Sequence, residues 1–244
     1  MYNDIVQDKK KCPSCHQEVT FHEKSCPFCS IIFDKWEQHQ TRRSIESENL
    51  EKLKSTDGLV IKQHIELAEI LLNFETRNSY LIKDALGKNL YDAEEISSFI
   101  IRYILGSWRP LKLCIYAPHK HLVLYLIKCF RLYFHRMDVY VAGGRYLGCI
   151  KKHFMFFGRW YSIYDAQGTE LFEIYGPWWH PWTFRIQQNT VEIGKIVKRW
   201  VGLLKEGFTD IDNFGVTFPQ QLSNDEKSLI LGATMLIDLI HFEK

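Results

Sequence analysis

Residues 229–242 read LILGATMLIDLIHF, a nearly all-apolar run close to the end of an otherwise strand-like chain. A helix that is apolar on every side is buried either in a protein core or in lipid. Crossing a bilayer takes about 20 apolar residues, whereas runs of about 10–14 are more often buried core helices. This run has 14 residues, is interrupted by Asp238, and is flanked by Asp225, Glu226 and Lys227 before and Glu243 and Lys244 after. An acid near the membrane midplane would cost at least ~2.5–3.5 kcal/mol. Ser223 or Asn224 supplies an N-cap, and Asp225 and Glu226 suit the positive end of the helix dipole. The pattern predicts a helix over 223–242 enclosed by protein.

The rest of the chain must then provide the enclosure. Its 244 residues are 46% hydrophobic and 14% aromatic, enough for one sizeable core and a small appendage. A formal net charge of +2 creates no global field for nucleic acid or another polyanion. The chain begins MYND and no apolar run follows, so no ordinary secretory signal is expected. Seven cysteines, four of them in two close pairs, suit metal binding in a reducing compartment better than disulfides. The expectation is a cytoplasmic protein, peripheral at the inner face of a membrane.

The two pairs form CPSC and CPFC: Cys12, Cys15, Cys26 and Cys29. Each short turn lets two thiolates converge on one ion, and two turns complete a tetrahedral four-cysteine zinc shell. Such a closed site holds structural Zn2+, with no position open for substrate. His16 and His22 lie in the same stretch as substitute ligands, although four cysteines suffice. His22-Glu23 starts like a zinc-protease helix, but Cys26 stands where the second histidine belongs. Residues 1–32 are therefore read as a zinc-ribbon-like module that contacts a protein partner, nucleic acid being less expected. Residues 33–57 are read as a charged helical or partly disordered linker, with Ile45, Leu50 and Leu53 a weak apolar stripe.

From Gly58 onward, short strand-like segments alternate with turn signals, as in barrels and sandwiches. The stretch YLIKDALGKNLY (80–91) echoes as YSIYDAQGTELF (161–172), each a strand, a D-A-x-G turn and a returning strand. LGCIKKHF (147–154) echoes as IGKIVKRW (193–200), and glycine inside a strand marks a bulge or close backbone approach. Repeated kinked hairpins predict a sheet that curves and closes, removing its edges. The helix over 223–242 would fill its lumen, and Asp238 would need a hydrogen-bond partner there.

The block IGKIVKRWVGLLKEGFTDIDNFGVTFP (193–219), followed by LILGATMLIDLIHFE, resembles the C-terminal part of the phospholipid scramblase family. The likeness continues upstream through ELAEILLNFETRNSYLIKDALGKNLYDAEE, Arg109-Pro110, the Asp165–Gly168 turn and Gly176-Pro177. It covers roughly residues 58–243. The resemblance implies a mainly β fold: a closed twelve-stranded tubby-like barrel around a C-terminal hydrophobic helix, occupying 58–244. It further implies ATP-independent, bidirectional phospholipid translocation between leaflets, promoted by calcium in animal members. The family's proposed Ca2+ loop falls on Asp210, Asp212, Phe214, Val216, Phe218 and Gln221, where the family pattern has an aspartate at the last position. Two acids followed by Phe-x-Val-x-Phe also read as a turn into a half-buried strand. The cysteine-rich palmitoylation cluster of animal members is missing; Cys114, Cys129 and Cys149 are expected to be small buried residues.

Trp178, Trp179 and Trp182, with Phe156 and Phe157, are candidate contacts with a phospholipid membrane surface. Lys151 and Lys152, with Lys198 and Arg199, are candidate partners of anionic lipid. The same aromatics would equally serve to close the barrel end. No Walker loop, Gly-x-Ser-x-Gly elbow or two-histidine helix is present, so no enzyme is expected. His119, His121 and His135 have no evident partner acid and are expected on the surface. Two readings follow: a membrane-associated, lipid-handling scramblase relative, or a regulatory adaptor whose zinc ribbon binds protein or nucleic acid while the barrel senses lipid.

Overall fold

Strict alternation of inward apolar and outward polar residues lets a strand bury one face. The computed structural model describes residues 9–12, 17–20, 24, 25, 27, 50–64, 78–96, 104–198 and 213–242. The chain forms two compact units, Met1–Glu48 and Asn49–Lys244. In the first, β1 (Lys9–Lys11) pairs antiparallel with β2 (Glu18–Thr20). The Cys12 amide donates to Gln17 O at 2.8 Å, and Cys12 is buried. The other predicted zinc ligands, Cys15, Cys26 and Cys29, lie outside the described residues, as does Ile45 of the linker.

The second unit holds twelve strands: β3 (Gly58–His64), β4 (Ser79–Asp84), β5 (Asn89–Ile96), β6 (Leu111–Ala117), β7 (His121–Lys128), β8 (Arg136–Val141), β9 (Tyr146–His153), β10 (Gly158–Asp165), β11 (Glu170–Pro177), β12 (Thr183–Gln188), β13 (Val191–Lys198) and β14 (Asn213–Thr217). Each pairs antiparallel with its sequence neighbours, and β14 pairs with β3, closing the barrel. Every edge is thereby satisfied. The expected closed, twelve-stranded barrel with one C-terminal helix is what forms.

Both sequence echoes have a structural cause. In the β4–β5 turn Asp84 Oδ1 accepts from the amides of Leu86 and Lys88, each at 2.9 Å. Asp165 Oδ1 does the same in the β10–β11 turn, from Gln167 at 2.9 Å and Thr169 at 2.7 Å. Gly87 and Gly168 both take φ 87°, which an L side chain resists. In the second echo, a Cβ on Gly148 would lie 2.0 Å from Tyr164 O, and one on Gly194 would lie 2.1 Å from Thr217 O. These glycines let neighbouring backbones close in and bend the wall.

The helix α1 (Asn224–His241) runs through the lumen, buried from Lys227 to Leu239. Ser223 makes a capping box with Glu226: Glu226 N–H donates to Ser223 Oγ, and Ser223 N–H donates to Glu226 Oε2 at 2.8 Å. Side chains of Ile82, Leu126, Val139, Ile150, Ile174 and Ile196 line the lumen and join the helix in one apolar core. Gly232 brings α1 against the wall, where a Cβ would meet Val139 Cγ2 at 3.0 Å and Ile150 Cδ1 at 3.2 Å. Leu50 and Leu53, from the segment read as linker, are buried in the same core.

At the helix start, Lys227 is fully buried. Its ammonium donates to Leu53 O (2.9 Å), Lys54 O (3.0 Å), Thr56 O (2.8 Å) and Gln220 O (2.9 Å). One side chain thus binds the helix to the incoming segment before β3 and to the chain leaving β14. The outer wall is polar, with Lys62, Asp92, Lys112, Glu173, Arg185 and Lys195 exposed or half-exposed. A transmembrane barrel has the reverse arrangement, apolar outside and polar within. Among the described residues no helix is long and apolar enough to cross a membrane.

Candidate functional site at the aromatic rim

Because neighbouring strands alternate in direction around a closed ring, all odd-numbered strands from β3 to β13 end at the same rim. The even-numbered strands end at the other rim, in short turns such as 85–88, 142–145 and 166–169. Connections at the first rim include 129–135, 154–157 and 178–182. They carry Phe130, Leu132, Tyr133 and Phe134, then Phe154 to Phe157, then Trp178, Trp179 and Trp182, all exposed. Ile104 and Trp108, in the β5–β6 connection, and Ile96 at the end of β5 belong to this rim too. Among the described residues only Leu86, Leu122 and Val191 are large, apolar, exposed and elsewhere. Among the described residues, apolar exposure is therefore concentrated at one end of the barrel.

The predicted contact residues divide within this rim. Phe156 and Phe157 are 73% and 77% exposed, and Trp178 and Trp179 are 62% and 68% exposed. Trp182 differs: its ring stacks on Phe242 at 5.4 Å, just past the end of α1. It closes the lumen, as the alternative reading of these aromatics held. Arg159 holds the tryptophan loop by donating to Pro181 O at 2.8 Å, with its guanidinium 4.2 Å from the centre of the Phe184 ring. Lys151 and Lys152 also separate. Lys151 lies on the outer wall over the Tyr164 ring, whereas Lys152 pairs in register with buried Tyr161 and faces inward.

Asp210 and Asp212 of the calcium loop lie outside the described residues. Phe214, Val216 and Phe218 are buried in the core cluster, and Gln221 is exposed. Those three apolar side chains offer calcium no oxygen. Among the described residues no group of three or more His, Cys, Asp or Glu is arranged to hold a metal ion.

Just inside the rim, the lumen wall turns polar. Asp238 accepts from Tyr80 OH at 2.8 Å and lies 3.6 Å from Lys198 Nζ, which answers the need for a partner. Lys198 is buried, in contrast to the expected lipid contact. Glu95 receives Arg109 Nε at 3.0 Å and a second guanidinium nitrogen at 2.9 Å, and also Asn78 Nδ2 at 2.8 Å. Lys128 donates to Ser107 O at 2.7 Å and Arg109 O at 2.8 Å. These contacts fix the mouth of the barrel around the C-terminal end of α1, whose dipole favours cations.

Two histidines complete this layer. His241 Nε2 and the Tyr161 hydroxyl share a 2.6 Å hydrogen bond. Burial, then Lys152, Arg159 and His135, lower the His241 pKa to about 3. His135, expected on the surface, is buried; burial, then Lys128 and Lys152, lower its pKa to about 4. His119 and His121 are exposed, as expected. The fold thus holds both rings, His135 buried and His241 half-buried, neutral, while the unfolded chain protonates them near pH ~6.5. Unfolding takes up protons below that pH, so the stability these rings contribute is present above ~6.5 and falls as pH drops toward the folded values. A loss of roughly 3 kcal/mol by pH ~4.5 is expected from His241 alone. Urea melts between pH ~7 and ~4.5 check it, and His241→Phe should flatten the dependence.

Sequence reasoning missed His135 and the inward direction of Lys152, because both follow from strand parity at a rim. Of the cysteines, Cys114 and Cys149 are buried as expected, but Cys129 is exposed at the start of the 129–135 connection.

A family model described as Scramblase matches residues 12–244. Phospholipid scramblase 2 of Bos taurus is 33% identical over 208 residues, 80% of this chain and 71% of the bovine protein. Phospholipid scramblase 2 of Homo sapiens is 30% identical over 209 residues, covering 80% of this chain and 70% of that protein. Phospholipid scramblase 1 of Mus musculus is 31% identical over 209 residues, and this chain spans 64% of its length. No solved structure matches.

Proposed function

This chain belongs to the scramblase family, and from that premise we propose that it docks the aromatic rim of its barrel on a phospholipid bilayer and moves phospholipids between leaflets without ATP. The observation that carries the docking is the concentration of exposed Phe and Trp rings at the rim where the odd-numbered strands end. Such rings favour the membrane interface, where an apolar body and a polar edge are both accommodated. The lumen is filled by α1, so lipid passes along the rim and outer surface and not through the barrel. The chain docks from the cytoplasmic side, as a peripheral protein.

Flotation with phosphatidylcholine vesicles, with and without phosphatidylserine, tests the docking; protein left at the bottom of both gradients refutes it. Reconstitution with a fluorescent lipid in one leaflet tests translocation, and an unchanged flip rate with bound protein would refute that step alone.

The N-terminal unit supports the zinc reading through its β1–β2 hairpin. Cys12 directly follows β1, and its amide hydrogen bond to Gln17 O closes the loop whose sequence carries Cys15. With Cys26 and Cys29 these thiolates would hold one structural Zn2+, giving a module that recruits a protein partner. About one zinc per chain is expected, and full zinc in Cys12→Ser/Cys15→Ser would overturn the assignment.

A further inference from the structure

The exposed aromatic loops end, on their inner side, in nitrogen-bearing side chains. His135 directly follows Phe134, Lys152 comes two residues before Phe154, and Arg159 comes two residues after Phe157. These three residues sit on adjacent strand ends. The Lys152 amide donates to His135 O at 2.8 Å, and Lys152 pairs with Tyr161, which is two residues along β10 from Arg159. His135 is 3% exposed, and its Nδ1 has no hydrogen-bond partner. Arg159 Nε is also buried without a partner, although the outer nitrogens of the same guanidinium serve the tryptophan loop.

No carboxylate among the described residues answers this arc. Glu95 is bound by Arg109 on another part of the wall, and Asp238, on α1, is bound by Tyr80 and Lys198. The nitrogen groups act on each other instead: burial and Arg159 lower the Lys152 pKa, and Lys152 helps to lower those of His135 and His241. Cationic groups crowded in a half-buried recess, with unsatisfied donors, gain most from a bound anion.

We propose that His135, Lys152 and Arg159 form a recess for the phosphate of a phospholipid headgroup. Lys152 supplies the charge; Arg159 Nε and a His135 ring protonated on Nδ1 supply directed hydrogen bonds. The headgroup is favoured over a free anion by placement: the recess lies one or two residues behind rings that would sit at the interface, at the depth of phosphates. The site rests on the docking reading and adds a lipid contact to it.

Full-length protein is floated with phosphatidylcholine vesicles containing phosphatidylserine, and melted in inorganic phosphate against chloride at equal ionic strength. Lys152→Gln is expected to lower vesicle partition about tenfold, whereas Lys195→Gln, on the outer wall, removes the same charge and changes it less than ~2-fold. Lys152→Arg should keep most of the partition, and His135→Phe should reduce it about threefold. In the absence of lipid, Lys152→Gln should melt no lower than the parent protein, because it relieves like-charge crowding. Inorganic phosphate should raise the melting temperature of the parent protein and not of Lys152→Gln. Vesicle partition that is equal for the parent protein and Lys152→Gln overturns the recess and leaves docking intact. Stabilisation by inorganic phosphate with unchanged vesicle partition assigns the recess to a free anion and overturns the headgroup. Parent protein that fails to float at all overturns docking itself.

Discussion

Replacing Trp178, Trp179, Phe156 and Phe157 together by serine is expected to lower vesicle partition roughly a thousandfold. Half-burying an aromatic ring that starts exposed is worth about 1 kcal/mol, so four rings contribute about 4 kcal/mol. The melting temperature should move by no more than ~8 °C, because exposed substitutions usually cost under ~0.5 kcal/mol each, or under ~2 kcal/mol for the four together. Trp182 is left in place deliberately, since it stacks on Phe242 and its loss would open the lumen. This separation makes the result decisive. If the rings merely closed the barrel, the variant would melt low and keep whatever lipid affinity the folded fraction has. Co-sedimentation with phosphatidylcholine–phosphatidylserine vesicles, next to a thermal melt, reads both quantities. Unchanged partition in a fully folded variant would sink the docking.

The same rim marks where the sequence was legible and where it was not. The apolar run at 229–242 and the two D-A-x-G turns carried the fold, because a helix apolar all round and an Asp–Gly hairpin each leave few alternatives. Asp238 announced a buried partner in the same way, and Tyr80 and Lys198 supply it. Adjacent residues at a strand end were harder. Lys151 and Lys152 look like one basic pair in sequence, yet the pleat sends one outward over Tyr164 and the other into the mouth. Deciding which is which requires the register, and the register follows from β-bulges that the sequence indicates only by a glycine. His135 was misplaced for a related reason: it precedes β8 by one residue, so only the continuing ladder to Lys152 turns it inward. The aromatic loops were visible as individual segments, but their gathering at one rim depends on closure of the ring.

Lys227→Ala is expected to cost at least about 4 kcal/mol, and to lower the melting temperature by about 8–16 °C. The ammonium has three N–H donors and four carbonyl oxygens within 2.8–3.0 Å, so its removal leaves buried acceptors unmet on two separate stretches of chain, 53–56 and Gln220. Lys227→Arg should not rescue it, because a planar guanidinium cannot replace a compact ammonium at the centre of that carbonyl cage. Equilibrium urea melts of both variants make the comparison, and a loss below ~1 kcal/mol in Lys227→Ala would show that water or neighbouring donors satisfy the cage. The consequence for function is direct. Any route in which α1 leaves the lumen to enter a bilayer must break this cage and withdraw the apolar surface from Leu229 to Leu239 that fills the barrel. At the opposite end it must also separate Asp238 from Tyr80 and Lys198. Lipid translocation with the helix in place avoids all of these costs. A Lys227→Ala protein that is less stable but no faster at translocation would therefore favour the enclosed helix, whereas a faster flip rate would argue that α1 moves.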